Sequence, residues 1–285
     1  MNISVIGGDK RIVELVKLLK KDGNEICLFG FGQCDELQSF KQASNLDEAL
    51  QNSKLVITSI PLSKDGKTIN TRYTEKTILI EDFFQKAKCK KIVTGNLTDE
   101  ISKFIDLENK NELIDVMKCE ELTVKNAIPT AEGAIQIAME KSQITIHDSK
   151  CLVLGFGRIG KILAKMLNGF GAEVYCEARK QQDLAWIKTY GYRPVHLNNV
   201  EKVLGRCDFI FNTIPFMILD ERKLNLINKQ SVIIDLASKP GGIDFETAKK
   251  LDLQVDWALA LPGRVASKTA AKYIYETMKN SFSLF

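Results

Sequence analysis

The sequence predicts an α/β fold built of two doubly wound halves, and three observations predict it. Short apolar runs alternate with segments of helical periodicity along the 285-residue chain. Glycine-rich turns follow apolar runs in both halves, at "VIGGD" (residues 5–9) and "LGFGRIG" (154–160). The length suits about two domains, each with a sizeable core.

In the first half, "ISVIGG" reads as a strand, Ile12, Leu15, Val16 and Leu19 make a helical apolar face, and "EICLFGF" is a second strand. "KLVITSI", ending at Pro61, and "KIVTG", ending at Gly95, read as buried strands of a parallel sheet. The turn "GGDKRI" has glycines at 7 and 8 but Ile12 at the helix-packing position, so it is expected to bind a dinucleotide poorly. Residues 1–125 are therefore expected to form a Rossmann-like substrate domain. Its loops, with Ser59, Pro61, Thr94 and Gly95, would lie at strand carboxyl ends and face a cleft between the domains. "NAIPTAEGAIQIAM" begins a linking helix (126–144), with Thr130 as cap, Glu132 in the first turn, and Ile135, Ala138 and Met139 on one face. A cofactor domain follows over 145–269. The tail 270–285, with apolar Ala270, Ile274 and Met278, is expected to pack back on the first domain.

In "KCLVLGFGRIGKILAKM" the apolar run Cys151–Leu154, the spacing G-x-G-x-x-G and the helical face Ile162, Leu163, Met166 and Leu167 come in the order strand, turn, helix. Gly155 permits the tight turn, Gly157 lets the backbone approach a pyrophosphate, and Gly160 lets helix and strand pack closely. With Arg158 and Ile159 between them, these residues open a helix whose free N–H groups suit phosphates. At the end of the next strand, "GAEVYCEARKQQ" places Ala178 where an NAD enzyme carries a carboxylate, followed by Arg179 and Lys180. A small residue and two cations suit a 2′-phosphate, which favours NADP over NAD. Glu177 comes one residue early, and strand alternation is expected to turn it to the other face.

Three more strand ends reach the same rim. "NTIP" supplies Asn212, Thr213 and Pro215; "DLASKPGG" supplies Ala237, Ser238 and Lys239; "ALPGRVASK" supplies Arg264 and Lys268. The cations Lys239, Arg264 and Lys268 suit a dianionic substrate.

Composition is that of an ordinary globular protein, with 45% hydrophobic and 27% charged residues. A net charge of +4, evenly spread, gives no reason to expect nucleic acid. "MNISVIGG" runs straight into a strand, so no signal peptide is expected, and no apolar run approaches membrane-spanning length. Seven cysteines without a C-x-x-C pair suit reduced thiols in a cytoplasm. The two histidines, His147 and His196, lie far apart, and no metal site is expected.

The blocks "NAIPTAEGAI", "GFGRIG", "FNTIPFMIL", "DLASKPGGIDF" and "ALPGRVASKTA", together with "VIGGD", resemble one family, the dipicolinate synthase A-subunit, the NADP-binding component of that enzyme in spore-forming bacteria. The chain departs from that family's pattern at Ser267, where proline is expected. The resemblance implies a flavoprotein-like second component, the B-subunit, and a homo-oligomer within a heteromeric complex in the mother-cell cytoplasm. The implied reaction is the NADP-dependent oxidation of a dihydrodipicolinate, formed from hydroxy-tetrahydrodipicolinate, to pyridine-2,6-dicarboxylate. Thr130, Lys239, Arg264, Thr94 and Gly95 would then bind substrate. Glu132 and Lys268 are alternative bases, with Ser238 or Thr130 as relays. Two other readings stand beside this one. A D-2-hydroxyacid-type dehydrogenase needs a histidine in the loop after the last cofactor-domain strand, and "ALPGRVASK" has none. The other is an NADP-binding scaffold whose partner does the chemistry. His147 and His196 are expected to be structural.

Overall fold

A computed structural model describes residues 1–105 and 111–284. The chain divides into two compact units, Met1–Lys125 with Ala266–Phe285, and Asn126–Val265.

The first unit contains β1 (Asn2–Ile6), β2 (Glu25–Phe29), β3 (Lys41–Gln42), β4 (Leu55–Thr58), β5 (Lys91–Thr94) and β6 (Glu112–Asp115). They form one sheet in the order β3-β2-β1-β4-β5-β6, every pair parallel. The second unit repeats the plan with β7 (Lys150–Leu154), β8 (Glu173–Ala178), β9 (Arg193–His196), β10 (Phe209–Asn212), β11 (Val232–Asp235) and β12 (Gln254–Trp257). Its order is β12-β11-β10-β7-β8-β9, again all parallel. This is the doubly wound Rossmann order, twice. The central strands β4, β10 and β11 are buried at every residue, as a sheet covered on both faces requires. Strand order reverses between β1 and β4 and between β7 and β10, the points where such sheets bind ligands at their carboxyl ends.

Helices α1 (Lys10–Lys21), α2 (Leu46–Leu50), α3 (Ile80–Lys86) and α4 (Asp99–Ser102) belong to the first unit. Helix α5 (Glu120–Lys141) begins there and ends in the second. The second unit continues with α6 (Arg158–Gly169), α7 (Gln181–Thr189), α8 (Glu201–Leu204), α9 (Glu221–Leu224), α10 (Phe245–Lys250) and α11 (Leu261–Val265), and α12 (Ser267–Asn280) returns to the first. In α1 the predicted stripe Ile12, Leu15, Val16 and Leu19 is fully buried. Ala271, Ile274 and Met278 of α12 share the core formed by that helix with Val5 and Leu28. Lys125 pairs with Glu121 at 2.7 Å and with Glu276 at 2.8 Å, tying the start of α5 to α12.

Three boundaries differ from the sequence expectation. The helix expected at 126 begins at Glu120, whose carboxylate and that of Glu121 favour an N-terminus, so Thr130 is mid-helix and not a cap. Its hydroxyl donates to the Asn126 carbonyl at 2.8 Å. Pro129 inside the helix cannot donate to the Lys125 carbonyl, and the boundary between units falls at that residue. The later turns are no separate linker: Ala131, Ala134, Ile135, Ile137 and Ala138 lie in one core with Val153, Phe211 and Ile234. Met139 is outside that face, at 46% exposure. Finally, the return to the first unit starts at Ala266, so Lys268 belongs there and not with Lys239 and Arg264.

Met278 is fully buried against α1, so Met278→Ala should cost about 2–5 kcal/mol in a denaturant titration of the first unit. A loss below about 1 kcal/mol would show that α12 contributes little to that core.

Candidate functional site

The glycine turn joins β7 to α6. Gly155 has φ +92°, a backbone region that glycine enters without strain. A Cβ on Gly160 would lie 2.0 Å from the Gly155 carbonyl oxygen, so only glycine permits this approach of helix to strand. Leu163, Ala164 and Leu167 then seat α6 in the core. Gly157 is the N-cap residue and makes no side-chain cap hydrogen bond to the first turn of α6. Arg158 beside it is exposed, and Ile159 packs partly against the core. The corresponding end of α1 is built differently. Asp9 caps it, accepting from the Arg11 backbone at 2.9 Å and from the Arg11 guanidinium at 2.7 Å. A side-chain anion thus sits where a phosphate would, and Ile12 crowds Gly8.

Both flanks of the glycine turn are braced. On the β10 side, Thr213 donates to the Leu154 carbonyl from its backbone at 3.0 Å and from its hydroxyl at 2.8 Å. On the β8 side, the Gly155 N–H donates to Glu177 Oε2 at 3.1 Å. This corrects the expectation that Glu177 turns away. Its Cβ does alternate with that of Ala178, but Glu177 lies in register with Leu154, and its side chain is long enough to reach the next residue's N–H. Glu177 is 1% exposed, and its Oε1 is buried without a hydrogen-bond partner. Burial pushes its carboxyl above the usual carboxylate range, opposed by the Gly155 N–H and by the charges of Arg179 and His196. Ala178 is buried, whereas Arg179 and Lys180 are exposed.

Asn212 and Asp235 end neighbouring strands in register and form a second polar centre that sequence reasoning did not recognise as a pair. Asn212 Nδ2 donates to Asp235 Oδ1 at 2.8 Å and to the Ile214 carbonyl at 3.0 Å. Asp235 also accepts from the backbones of Ala237 at 3.0 Å and Gly242 at 2.9 Å. Trp257 Nε1 donates to the Ala237 carbonyl at 2.9 Å. The segment "ASKPGG" is therefore pinned at both ends, with Ser238 and Lys239 exposed between the pins and Pro215 exposed on the loop after β10. The signal was two polar residues at the last position of adjacent apolar strands.

A Cβ on Gly133 would lie 3.1 Å from Leu261, so glycine lets α11 lie against α5. That contact puts Glu132 and Thr130 on a helix next to the one carrying Arg264; Glu132 and Arg264 are both exposed. Lys268, exposed, stands on α12 of the first unit, and its charge helps to lower the carboxyl of Glu36 there, after the larger effect of Lys17. Thr94 is fully buried with its hydroxyl unpartnered, and Gly95 is wedged against Ile60 and Met117. His147 Nδ1 lies 3.0 Å from the Phe170 carbonyl, and His196 accepts from the Asn198 N–H at 3.3 Å. Among the described residues no His, Cys, Asp or Glu cluster could hold a metal, and no helix is long and apolar enough to cross a membrane.

Residues 2–117 match the family model of the dipicolinate synthase A-subunit N-terminal domain, and residues 124–240 match that of the D-isomer specific 2-hydroxyacid dehydrogenase NAD-binding domain. The dipicolinate synthase A-subunit of Bacillus subtilis is 32% identical over 96% of this chain and 93% of its own. The chain belongs to the dipicolinate synthase A-subunit family. The crystal structure of that protein from Bacillus halodurans superposes with a TM-score of 0.89 at 27% identity, covering 99% of this chain and 97% of the other. The Bacillus subtilis structure gives 0.88 at 30% identity, covering 100% and 96%. The dehydrogenase match spans the glycine turn, Glu177, Asn212 and Asp235, so this unit is of the kind that binds a nicotinamide dinucleotide. The residues fit such a group: a helix N-terminus without a side-chain cap and a close-approach glycine meet at one sheet edge.

A Cβ on Gly157 would meet nothing within 4 Å, so Gly157→Ala should fold normally yet lose nucleotide affinity, while Gly160→Ala should lose both. Calorimetric titration paired with thermal melting checks this; normal nucleotide binding by Gly157→Ala would remove the pyrophosphate from this turn. The raised carboxyl of Glu177 also fixes a sign. Stability should fall as pH rises from about 4 through the folded-state value, because the native state holds the proton longer. Glu177→Gln should therefore raise the melting temperature more at pH 8 than at pH 4, and an equal effect at both would refute the shift.

Proposed function

We propose that this chain is the oxidising component of dipicolinate synthase, converting a dihydropyridine dicarboxylate to pyridine-2,6-dicarboxylate with NADP. The observation that carries the reading is the carboxyl edge of the second unit's sheet, where an open helix N-terminus stands beside braced loops bearing exposed cations. The bound nicotinamide supplies the hydride acceptor. The chain's own residues supply the rest. Gly155, Gly157 and Gly160, with Arg158 and Ile159, seat the pyrophosphate. Ala178 leaves room for a 2′-phosphate, which Arg179 and Lys180 would grip. Asn212, Thr213, Pro215 and Ala237 would line the nicotinamide end of the same edge. Lys239 and Arg264 would hold the two substrate carboxylates, since buried carboxylates need paired cations. Thr130, Thr94 and Gly95 remain further substrate candidates.

Oxidation removes a hydride and a proton, so a base must take the proton. Glu132 serves best, because it stands beside the helix of Arg264 in the unit that carries the glycine turn; Lys268 is the alternative, with Ser238 or Thr130 as relay. Aromatisation makes the transfer favourable, so orientation and charge matching are the protein's main contribution. In this role the chain acts with the flavoprotein-like B-subunit, as a homo-oligomer within a heteromeric complex in the mother-cell cytoplasm of a spore-forming bacterium. The segment following β12 carries no histidine, which speaks against a 2-hydroxyacid as substrate.

The test supplies the chain, its flavoprotein-like partner, NADP and freshly generated hydroxy-tetrahydrodipicolinate, and follows the ultraviolet bands of a pyridine dicarboxylate. Product without this chain would leave it a scaffold at most. Lys239→Ala and Arg264→Ala should each lower product formation by about a hundredfold while NADP affinity holds. Full turnover in both variants would move the substrate elsewhere; lost NADP affinity would make them cofactor residues. Arg179→Ala should weaken NADP by about 1.5–3 kcal/mol, and unchanged affinity would remove the 2′-phosphate contact.

A further inference from the structure

We infer that Phe216, with Met217 beside it, recognises the flat ring of the substrate, and that it does so together with Lys239. The aromatic face takes the ring and the cation takes a ring carboxylate. The inference rests on the pyridine dicarboxylate reading above and deepens it, naming the residue that tells a flat ring from a puckered one.

Three observations carry it. Phe216 is 71% exposed and Met217 61%, more than any other large apolar side chain among the described residues. Both follow β10, a strand at the point where strand order reverses, on the edge where such sheets take ligands. Second, the loop that carries them is held to its neighbour. The N–H groups of Ile218 and Leu219 donate to the Gly242 carbonyl at 2.9 and 3.0 Å, and the Asp244 N–H donates to the Leu219 carbonyl at 3.0 Å. Leu219 and Ile243 form a parallel bridge. A Cβ on Gly242 would lie 2.5 Å from the Ile214 carbonyl oxygen and 2.9 Å from that of Phe216, so glycine is what lets the two segments lie this close. Third, the neighbouring segment is the one that bears Lys239. Residues 213–218 and 238–243 contain no Asp or Glu, and Lys239 is their one charged residue.

An exposed aromatic face on a loop tied to the one that bears a lone cation fits a flat, anionic ring. The ring meets Phe216 in an offset or edge-on contact, and the thioether of Met217 adapts to what remains of its outline. A carboxylate on that ring pairs with Lys239, with no acidic side chain in either segment to compete for the cation. The aromatic product is flat, whereas the tetrahydro ring that precedes it is puckered, so the surface favours the ring in the form that oxidation gives it. Neutral aromatic molecules gain the ring contact alone, and puckered diacids gain the cation alone.

The probes are three diacids of like carboxylate spacing: pyridine-2,6-dicarboxylate, benzene-1,3-dicarboxylate and cis-cyclohexane-1,3-dicarboxylate. The first two are flat and the third is puckered. Affinities are measured by calorimetry with NADP present, on the intact chain, Phe216→Leu and Lys239→Ala. The intact chain should bind both flat acids about 5-fold or more tighter than the puckered one. Phe216→Leu keeps an apolar side chain but loses the flat face, and should erase most of that preference. Lys239→Ala should weaken all three acids alike and leave the preference in place. Equal affinity of the intact chain for benzene- and cyclohexane-dicarboxylate overturns the inference without any variant, because the ring face is then not what is read. A Phe216→Leu chain that keeps the preference overturns it too. If that variant instead fails to sediment with the flavoprotein-like partner, the exposed pair is a docking face for a protein and not a ring contact. Binding of none of the three acids by the intact chain would bring down the pyridine dicarboxylate reading itself, and this inference with it.

Discussion

The approach of α6 to β7 at Gly155 and Gly160 is the contact on which the second unit's glycine turn depends. With 2.0 Å between a hypothetical Gly160 Cβ and the Gly155 carbonyl, any side chain there would lift the helix off the strand. Seated low, α6 brings its uncapped N–H groups to the carboxyl edge of the sheet at the point where strand order reverses. Thr213 and Glu177 then hold the turn from the two neighbouring strands. The first unit has the same strand order and the opposite outcome. Asp9 and Arg11 neutralise each other at the head of α1, where the Asp9 carboxylate already takes up a first-turn N–H. Two copies of one architecture differ in which side chain reaches a helix end.

Two buried carboxylates in the second unit differ in how far their hydrogen bonding is completed. Asp235, fully buried, accepts from Asn212, Ala237 and Gly242, and so uses both its oxygens. Its network is complete within the protein and fixes two loops relative to β10 and β11. Glu177, almost as deeply buried, uses one oxygen and leaves the other without a donor. Completed polar networks rigidify, whereas a half-completed one carries a desolvation cost.

Much of this was legible in the sequence, for identifiable reasons. Apolar runs bounded by glycine and proline mark parallel strands because both faces of such a sheet are covered, and β4, β10 and β11 follow that rule at every position. The glycine turn was legible because each glycine answers a separate steric demand. What misled was the local rule applied one step too far. Alternation placed the Glu177 Cβ correctly but says nothing about where a long side chain ends. Thr130 reads as the cap of a helix starting at 126, yet α5 runs from Glu120 through Pro129, with its later turns in the second unit's core. Lys268 follows Arg264 closely in sequence, but the chain changes unit between them. Pairing across strands, as between Asn212 and Asp235, needs the register of β10 and β11, which no single segment encodes.

The arrangement of the second unit also fixes where two exposed cations are attached. Lys239 is a long, flexible side chain, but it is carried on a loop anchored at Ala237 by both Asp235 and Trp257 and at Gly242 by Asp235 again. Arg264 is carried on α11, which the absence of a side chain at Gly133 allows to lie against α5. In both places the cation's point of attachment is fixed by buried hydrogen bonds or close packing, and the residue itself is exposed. An oxidation that gains an aromatic ring asks little more of its protein than correct placement. For the oxidation proposed above, attachment points fixed in this way meet that demand.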